Sequence, residues 1–358
     1  LLLLALLTLF TAAGIRLHTT LLQSALYPLA ALAVVTAAGY TAYGMNLWLD
    51  LAPLLLGIVF ASLGAFGLNY FIEGRQRRFI RSAFAQYLSP AVIDTLVEHP
   101  ENLKLGGEKK RLTLLFSDIE GFTKISSQMD AERVAQFLND YLGLLSDTIM
   151  ELGGTIDKYE GDAIIAFWNA PLPQEKHAAL AVEAALTCQR LLHDHNDRFL
   201  ETYGHVIKTR FGIHTGDVII GNLGTEKRFD YTFIGDAGNL ASRLESANKQ
   251  FSSYIMISEA TREAMGERYP CRELGTIAVV GREEPVRVFE PLETAYPGSD
   301  AYHAALHAFY AEEFDAAEEG FAAFADSDAV SRTYLSFIER IRSGDAILHE
   351  GVLRLSKK

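Results

Sequence analysis

The sequence predicts an α+β fold with a mostly antiparallel sheet, set behind an apolar, helix-forming N-terminal region. Three observations carry this. Residues 1 to about 73 hold one Arg (Arg16), no Lys and two acids (Asp50 and Glu73), while nearly all the charge of a chain with formal net charge −13 lies beyond them. From Arg111 onward, short runs rich in β-branched and aromatic residues alternate with long amphipathic runs. Tight-turn residues such as Glu160-Gly161-Asp162 separate some short runs, so strands adjacent in sequence pair as hairpins.

The chain opens Leu1-Leu2-Leu3-Leu4 without a Met, which reads as an apolar helix already under way. A signal peptide is disfavoured, because the basic start and small-residue cleavage site are missing. Three membrane spans are expected, at residues 1–15, about 27–45 and about 50–72. A span needs about 20 apolar residues, so the first is incomplete. A buried helical core is the alternative, and the absence of charge inside the second and third runs argues against it. Arg16 lies between spans one and two, Arg75, Arg77, Arg78 and Arg81 follow span three, and residues 44–50 carry no Lys or Arg. The positive-inside rule then puts everything after residue 73 in the cytoplasm of a multi-pass plasma (inner) membrane protein.

Residues 74–107 form a linker. Phe79, Ala83, Phe84, Tyr87 and Leu88 recur at helical spacing, Ser89-Pro90 ends one helix and starts another, and Val92, Ile93 and Leu96 continue the stripe. This suits either a dimer-forming, signal-transmitting helix or a plain tether. The domain spans 108–293. Leu112–Phe116 reads as a buried strand, 130–152 as an amphipathic helix, and Thr155–Tyr159 and Ala163–Trp168 as a hairpin. A long helix is expected over 175–202. Separate strands follow near 207–214, 217–221 and 231–234, then a helix over about 237–249 and shorter elements to 290. Residues 299–350 form a helical hairpin of tetratricopeptide-like pattern, with stripes Tyr302, Ala305, Leu306, Phe309 and Phe314, Ala317, Phe321, Phe324. One such unit cannot bury its own face, so it packs on something.

The net charge excludes nucleic acid as the default partner, since phosphate neutralisation needs a basic face. Cys188 and Cys271 lack metal-ligand spacing and read as isolated thiols in a reducing compartment. The chemistry gathers elsewhere. Asp118 sits just past the first strand, ahead of Gly121, and Asp162 sits at the hairpin tip. If those strands are neighbours, two carboxylates converge, a donor set that suits Mg²⁺ with substrate phosphates. Taken singly the residues read more plainly: Lys158 as a solvated strand residue, Asn239 and Arg243 as a surface pair four apart on a helix, and His214 as a satisfied sheet histidine. Gly212, Gly216, Gly221 and Gly224 then serve turns and packing.

Taken together, Phe116–Thr123 (Phe-Ser-Asp-Ile-Glu-Gly-Phe-Thr), Lys158–Asp162 (Lys-Tyr-Glu-Gly-Asp), Phe211–Gly216 and Tyr231–Arg243 occur in order. Over about residues 108–292 the chain resembles the class III adenylate/guanylate cyclase catalytic domain, with its ferredoxin-like core. The spans, Tyr87–Val92 and Leu105–Glu108 resemble bacterial membrane-anchored members. The resemblance implies that Asp118, Asp162 and the Ile119 carbonyl hold two Mg²⁺ or Mn²⁺ ions per site. It implies that Lys158 and Thr232 read the purine, Asn239 orients the ribose and Arg243 stabilises triphosphate charge. Lys158 favours ATP, because guanylate cyclases typically place an acid there, and Thr232 resembles the bacterial subgroup with Thr at that position. The product would be 3′,5′-cyclic AMP, made at sites shared across a homodimer. Departures are Gly238 where Val is usual, expected to loosen the helix start, and Val280-Gly281-Arg282 where Lys-Gly-Lys is frequent, which leaves Arg282 as the phosphate contact. The rival readings are a guanylate cyclase, a catalytically inactive sensor or scaffold, and a cyclic-dinucleotide cyclase, which needs a different acidic signature at the hairpin.

Overall fold

The computed structural model describes residues 2–17, 21–48, 50–84, 107–225, 228–278, 285–344, 346–349 and 352–355. Residues 85–106 of the linker expected over 74–107, and the Arg282 contact, lie outside the described residues. The chain divides into an N-terminal unit ending at Phe84 and a second unit beyond it.

The N-terminal unit contains α1 (Leu2–Leu17), α2 (Leu21–Gly44) and α3 (Ala52–Phe84). Ala31, Val35 and Ile58 pack between them, while Leu26, Leu29 and Val34 face outward. One described segment, Ala25–Gly44, is long and apolar enough to cross a membrane by length and composition; Leu6–Ile15 and Ala52–Leu68 are apolar but shorter. The run expected over about 50–72 thus falls short of that length among the described residues, its apolar part ending at Leu68.

The second unit is built on one mixed sheet. Its central strand β1 (Glu108–Ile119) has Leu112, Thr113, Leu114 and Leu115 fully buried, because helices cover both sheet faces. It is followed by α4 (Phe122–Ser126), α5 (Ala131–Glu151), β2 (Thr155–Glu160), β3 (Ala163–Trp168) and α6 (His177–Tyr203). Then come β4 (Thr209–Thr225), β5 (Arg228–Ile234), α7 (Asp236–Phe251), β6 (Ile255–Ser258), α8 (Glu259–Met265), β7 (Cys271–Ile277) and β8 (Val286–Pro291). The tail comprises α9 (Ser299–Tyr310), α10 (Phe314–Ala322), α11 (Ala329–Arg342), β9 (Ala346–His349) and β10 (Val352–Leu355). The described strands run β2-β3-β1-β4-β6-β8-β7-β10-β9, with β5 pairing only β4. All pairs are antiparallel except β4 with β6 and β7 with β10.

Helix starts follow the sequence: the Asp130 carboxylate accepts from the Arg133 N–H at 2.8 Å and Asp328 accepts from the Ser331 N–H at 2.9 Å. Helices α5 and α6 pack on one sheet face through Phe137, Leu145, Val182 and Cys188 against Leu115, Ala166 and Trp168.

Two expectations are corrected. The two strands read at 207–214 and 217–221 are one, β4, which pairs with β1 from Thr209 to Ile220 and with β5 from Ile219 to Thr225. The tail is no simple hairpin: a third helix, α11, closes it. Tyr302, Phe309, Phe321 and Tyr334 share a core with Leu240, Leu244 and Phe251 of α7. Buried Arg272 fastens this junction. Its guanidinium pairs with Glu290, donates to Asp328 Oδ1 at 2.8 Å and lies 4.8 Å from the Tyr296 ring. The tail therefore supports the helix that carries Asn239 and Arg243.

Candidate active site

The two aspartates do meet. β1 pairs with β3 (Phe116 opposite Ile165), which carries the β2–β3 hairpin tip alongside the end of β1. Gly161 at the tip has φ +66°, a left-handed conformation that glycine adopts without penalty. The Ile119 N–H donates to Asp162 Oδ2 at 3.0 Å, and the Ile164 N–H donates to Ser117 Oγ at 3.1 Å. Asp118 lies opposite Arg210 in the β1–β4 ladder. Burial, then the charge of Asp162, then that of Glu245, push the Asp118 carboxyl up to about 7; Arg210 opposes them weakly. Arg210 is itself ion-paired to Glu120, whose carboxylate also accepts from the Tyr254 hydroxyl at 3.3 Å. Glu245, 9% exposed on α7, is also raised, chiefly by burial.

These residues fit a divalent cation. A cation beside Asp118 and Asp162 relieves their mutual repulsion and favours the ionised Asp118. Among the described residues no group of three or more His, Cys, Asp or Glu side chains converges as a ligand set. A pair of carboxylates leaves coordination positions for backbone carbonyl, water or phosphate oxygens, the mixture Mg²⁺ favours.

A separate cleft of about 540 Å³ opens between β2, β5 and α7. Lys158, Thr232, Gly238 and Asn239 line it, with Phe116, Ile165 and Phe233 as its apolar wall; neither Asp118 nor Asp162 does. Phe233 meets Phe167 edge-on, centroids 5.9 Å apart. Gly238 lies in the first turn of α7. A Cβ there would come within 2.6 Å of the Phe233 ring, so glycine is what lets α7 close on that wall. Asn239 is exposed, and Arg243, one turn further along α7, is half-buried. His214 is satisfied, its Nδ1 2.7 Å from Ser258 Oγ, and is buried. A smaller cavity of about 210 Å³ between α5 and α6 is remote from these groups; there Tyr203 already donates to Asp140 at 2.8 Å.

One chain thus presents two separate features: a pair of neighbouring carboxylates, and a cleft lined by an ammonium, a hydroxyl and an amide. The sequence reading missed Asp157 and Glu245. Asp157 lines the cleft and is only 8% exposed, yet an acid within a strand reads as solvent-facing. Glu245 follows Leu244 on the inner face of α7, and only the folded packing brings it near Asp118 and Asp162.

The chain is similar to several known proteins over this region. Adenylate cyclase 1 of Rhizobium meliloti is 32% identical over 207 residues, covering 58% of this chain and 31% of that protein. The adenylate cyclase of Anabaena cylindrica is 34% identical over 221 residues, covering 60% and 42%. The chain therefore spans less than half the length of these relatives. The crystal structure of the adenylyl cyclase CyaB from P. aeruginosa matches 53% of this chain and 97% of that chain, with 36% identity and a TM-score of 0.50. Residues 107–290 match the adenylate and guanylate cyclase catalytic domain along its sheet, hairpin and α7 helix alike, and the chain belongs to that family.

Proposed function

We propose that the chain is an adenylate cyclase that converts ATP to 3′,5′-cyclic AMP and pyrophosphate at a site completed by a second copy of itself. The observation that carries this is the cleft in which Lys158, Thr232 and Asn239 converge while Asp118 and Asp162 converge elsewhere. A single chain offers base-reading and metal-holding halves that do not share a cavity, so a two-fold dimer would build two equivalent sites. The Lys158 ammonium donates to adenine N1, and the Thr232 hydroxyl accepts from the exocyclic amine. Asn239 orients the ribose so that its 3′-oxygen attacks the α-phosphorus in line. The bond from that phosphorus to the bridging β-oxygen breaks, pyrophosphate leaves, and the 3′-hydroxyl proton passes to solvent. Arg243, permanently charged, stabilises the charge that builds on the phosphates. Asp118, Asp162 and the Ile119 carbonyl would hold two Mg²⁺ or Mn²⁺ ions, which supply activation of the 3′-oxygen and neutralisation of phosphate charge.

The guanylate reading is disfavoured because Lys158 is a donor where guanine presents a donor of its own. Purified residues 74–358 incubated with Mn²⁺ or Mg²⁺ and equal ATP and GTP are expected to yield cyclic AMP by mass spectrometry, at least about tenfold over cyclic GMP, since each mismatched buried group costs about 1–3 kcal/mol. Mainly cyclic GMP would reverse the assignment, and no cyclic product would support a scaffold.

We further propose that the helices α1, α2 and α3 are three membrane spans, with the catalytic unit cytoplasmic. The support is the length and apolarity of Ala25–Gly44 and the flanking of the apolar runs by Arg16 and by Arg75, Arg77 and Arg78. A reporter fused after Met45 is expected outside the cytoplasm and one fused after Arg78 inside it. Both on the same side would refute three spans.

A further inference from the structure

Next to Lys158 lies a carboxylate that the reading above leaves without a task. Pairing of β2 with β3 steps from Ile156 opposite Ala166 to Lys158 opposite Ile165, so Asp157 is the extra residue of a bulge. In a regular strand, neighbours 157 and 158 would point to opposite faces. The bulge resets that alternation, and both side chains line the same cleft. The Asp157 side chain is only 3% exposed, and its Oδ2 lies 3.5 Å from Lys158 Nζ. Its Oδ1 is buried and makes no hydrogen bond. Burial raises this carboxyl, and the adjacent Thr232 hydroxyl, followed by the Lys158 ammonium, holds it back towards the ionised form.

An ionised carboxylate is an acceptor only, whereas a hydroxyl has one proton and two lone pairs. The donors beside Asp157 are Lys158 and Thr232. When the Thr232 proton turns to the buried carboxylate, the hydroxyl has lone pairs alone to show the cleft. We propose that Asp157 sets the polarity of the Thr232 hydroxyl, and thereby makes the cleft select a purine bearing an amino group at position 6 over one bearing a carbonyl. The amino group donates to the lone pairs, while a 6-carbonyl would face them. Asp157 is thus a positioning residue for base choice, acting through Thr232. This rests on the reading of Lys158 and Thr232 as the base-reading pair.

The experiment compares kcat/KM for ATP and GTP in the wild type, Thr232→Ala, Asp157→Asn and the double variant. Asparagine keeps the shape of Asp157 but can donate to Thr232 through its amide, which frees the hydroxyl proton for the base. Asp157→Asn is expected to lower the ATP:GTP ratio at least about fivefold, and to lower it little or not at all when Thr232 is already alanine, because the two residues act as one unit. A merely structural Asp157 would depress both substrates together and leave the ratio in place. Should the asparagine variant not fold, Asp157→Ala, which releases the hydroxyl to turn either way, must give the same drop. A lowered ratio in Thr232→Ala with an unchanged ratio in Asp157→Asn or Asp157→Ala overturns the role of Asp157 and leaves base reading by Thr232 standing. An unchanged ratio in Thr232→Ala overturns both.

Discussion

Asp118→Ala or Asp162→Ala is expected to lower turnover by at least about a hundredfold, measured as cyclic nucleotide formed at saturating ATP and Mn²⁺. Asp162 accepts from the Ile119 N–H at the end of β1, and its charge acts on the neighbouring Asp118 carboxyl. A lost cation removes several kcal/mol of transition-state stabilisation, and about 2.7 kcal/mol already corresponds to a hundredfold. Turnover within a few-fold of wild type in either variant would remove the assignment of the cation site to these residues.

The same pair makes a stability prediction with a defined sign. Folding raises the Asp118 carboxyl from 3.8 to about 7, so the folded chain holds that proton more tightly than the unfolded chain. Stability from this group is fully present below about pH 4 and is lost as pH rises through about 7. Asp118→Asn, neutral throughout, should therefore gain on the wild type across that window in metal-free buffer. Asp118 is only partly buried, so solvent screening reduces the gain to roughly 1–2 kcal/mol at pH 8, a few degrees in Tm. The gap should be smaller at pH 5 and should shrink or reverse with saturating Mg²⁺ or Mn²⁺, which binds the folded wild type. A gap that ignores both pH and metal would mean that the aspartates do not repel each other in the folded chain.

The parts of the fold legible in the sequence are those where local pattern and tertiary role agree. The run Leu112–Phe116 is apolar because its strand is buried on both faces, and Glu160-Gly161-Asp162 marks a hairpin because glycine takes the left-handed turn. Elements were misread where packing overrides local signals. Gly216 and Gly221 suggest breaks, yet β4 runs through both because β1 and β5 pair with it in succession. The stripe Val330, Tyr334, Phe337, Ile338 of α11 gains its meaning only from the core it completes with α7. At the site, Lys158, Thr232 and Asn239 stand in recognisable motifs, and the structure brings them to one cleft. Asp157 was not legible, because the bulge that turns it inward is a property of the β2–β3 register and leaves no mark in the sequence.

The claim that each active site is completed by the partner chain is tested most directly with mixed dimers. Asp118→Ala should be inactive alone for want of the cation, and Asn239→Ala should be badly impaired alone, since a misplaced 3′-oxygen forfeits much of the proximity advantage. When the two are co-expressed equally, about half the dimers are mixed, and in each of these one site receives both substitutions and the other neither. About a quarter of wild-type activity should return from two nearly inactive parents. Asp118→Ala mixed with Asp162→Ala should recover nothing, because both aspartates belong to the same half-site. Recovery in the first mixture alone is the predicted result; equal outcomes in the two mixtures would contradict a site built across the dimer.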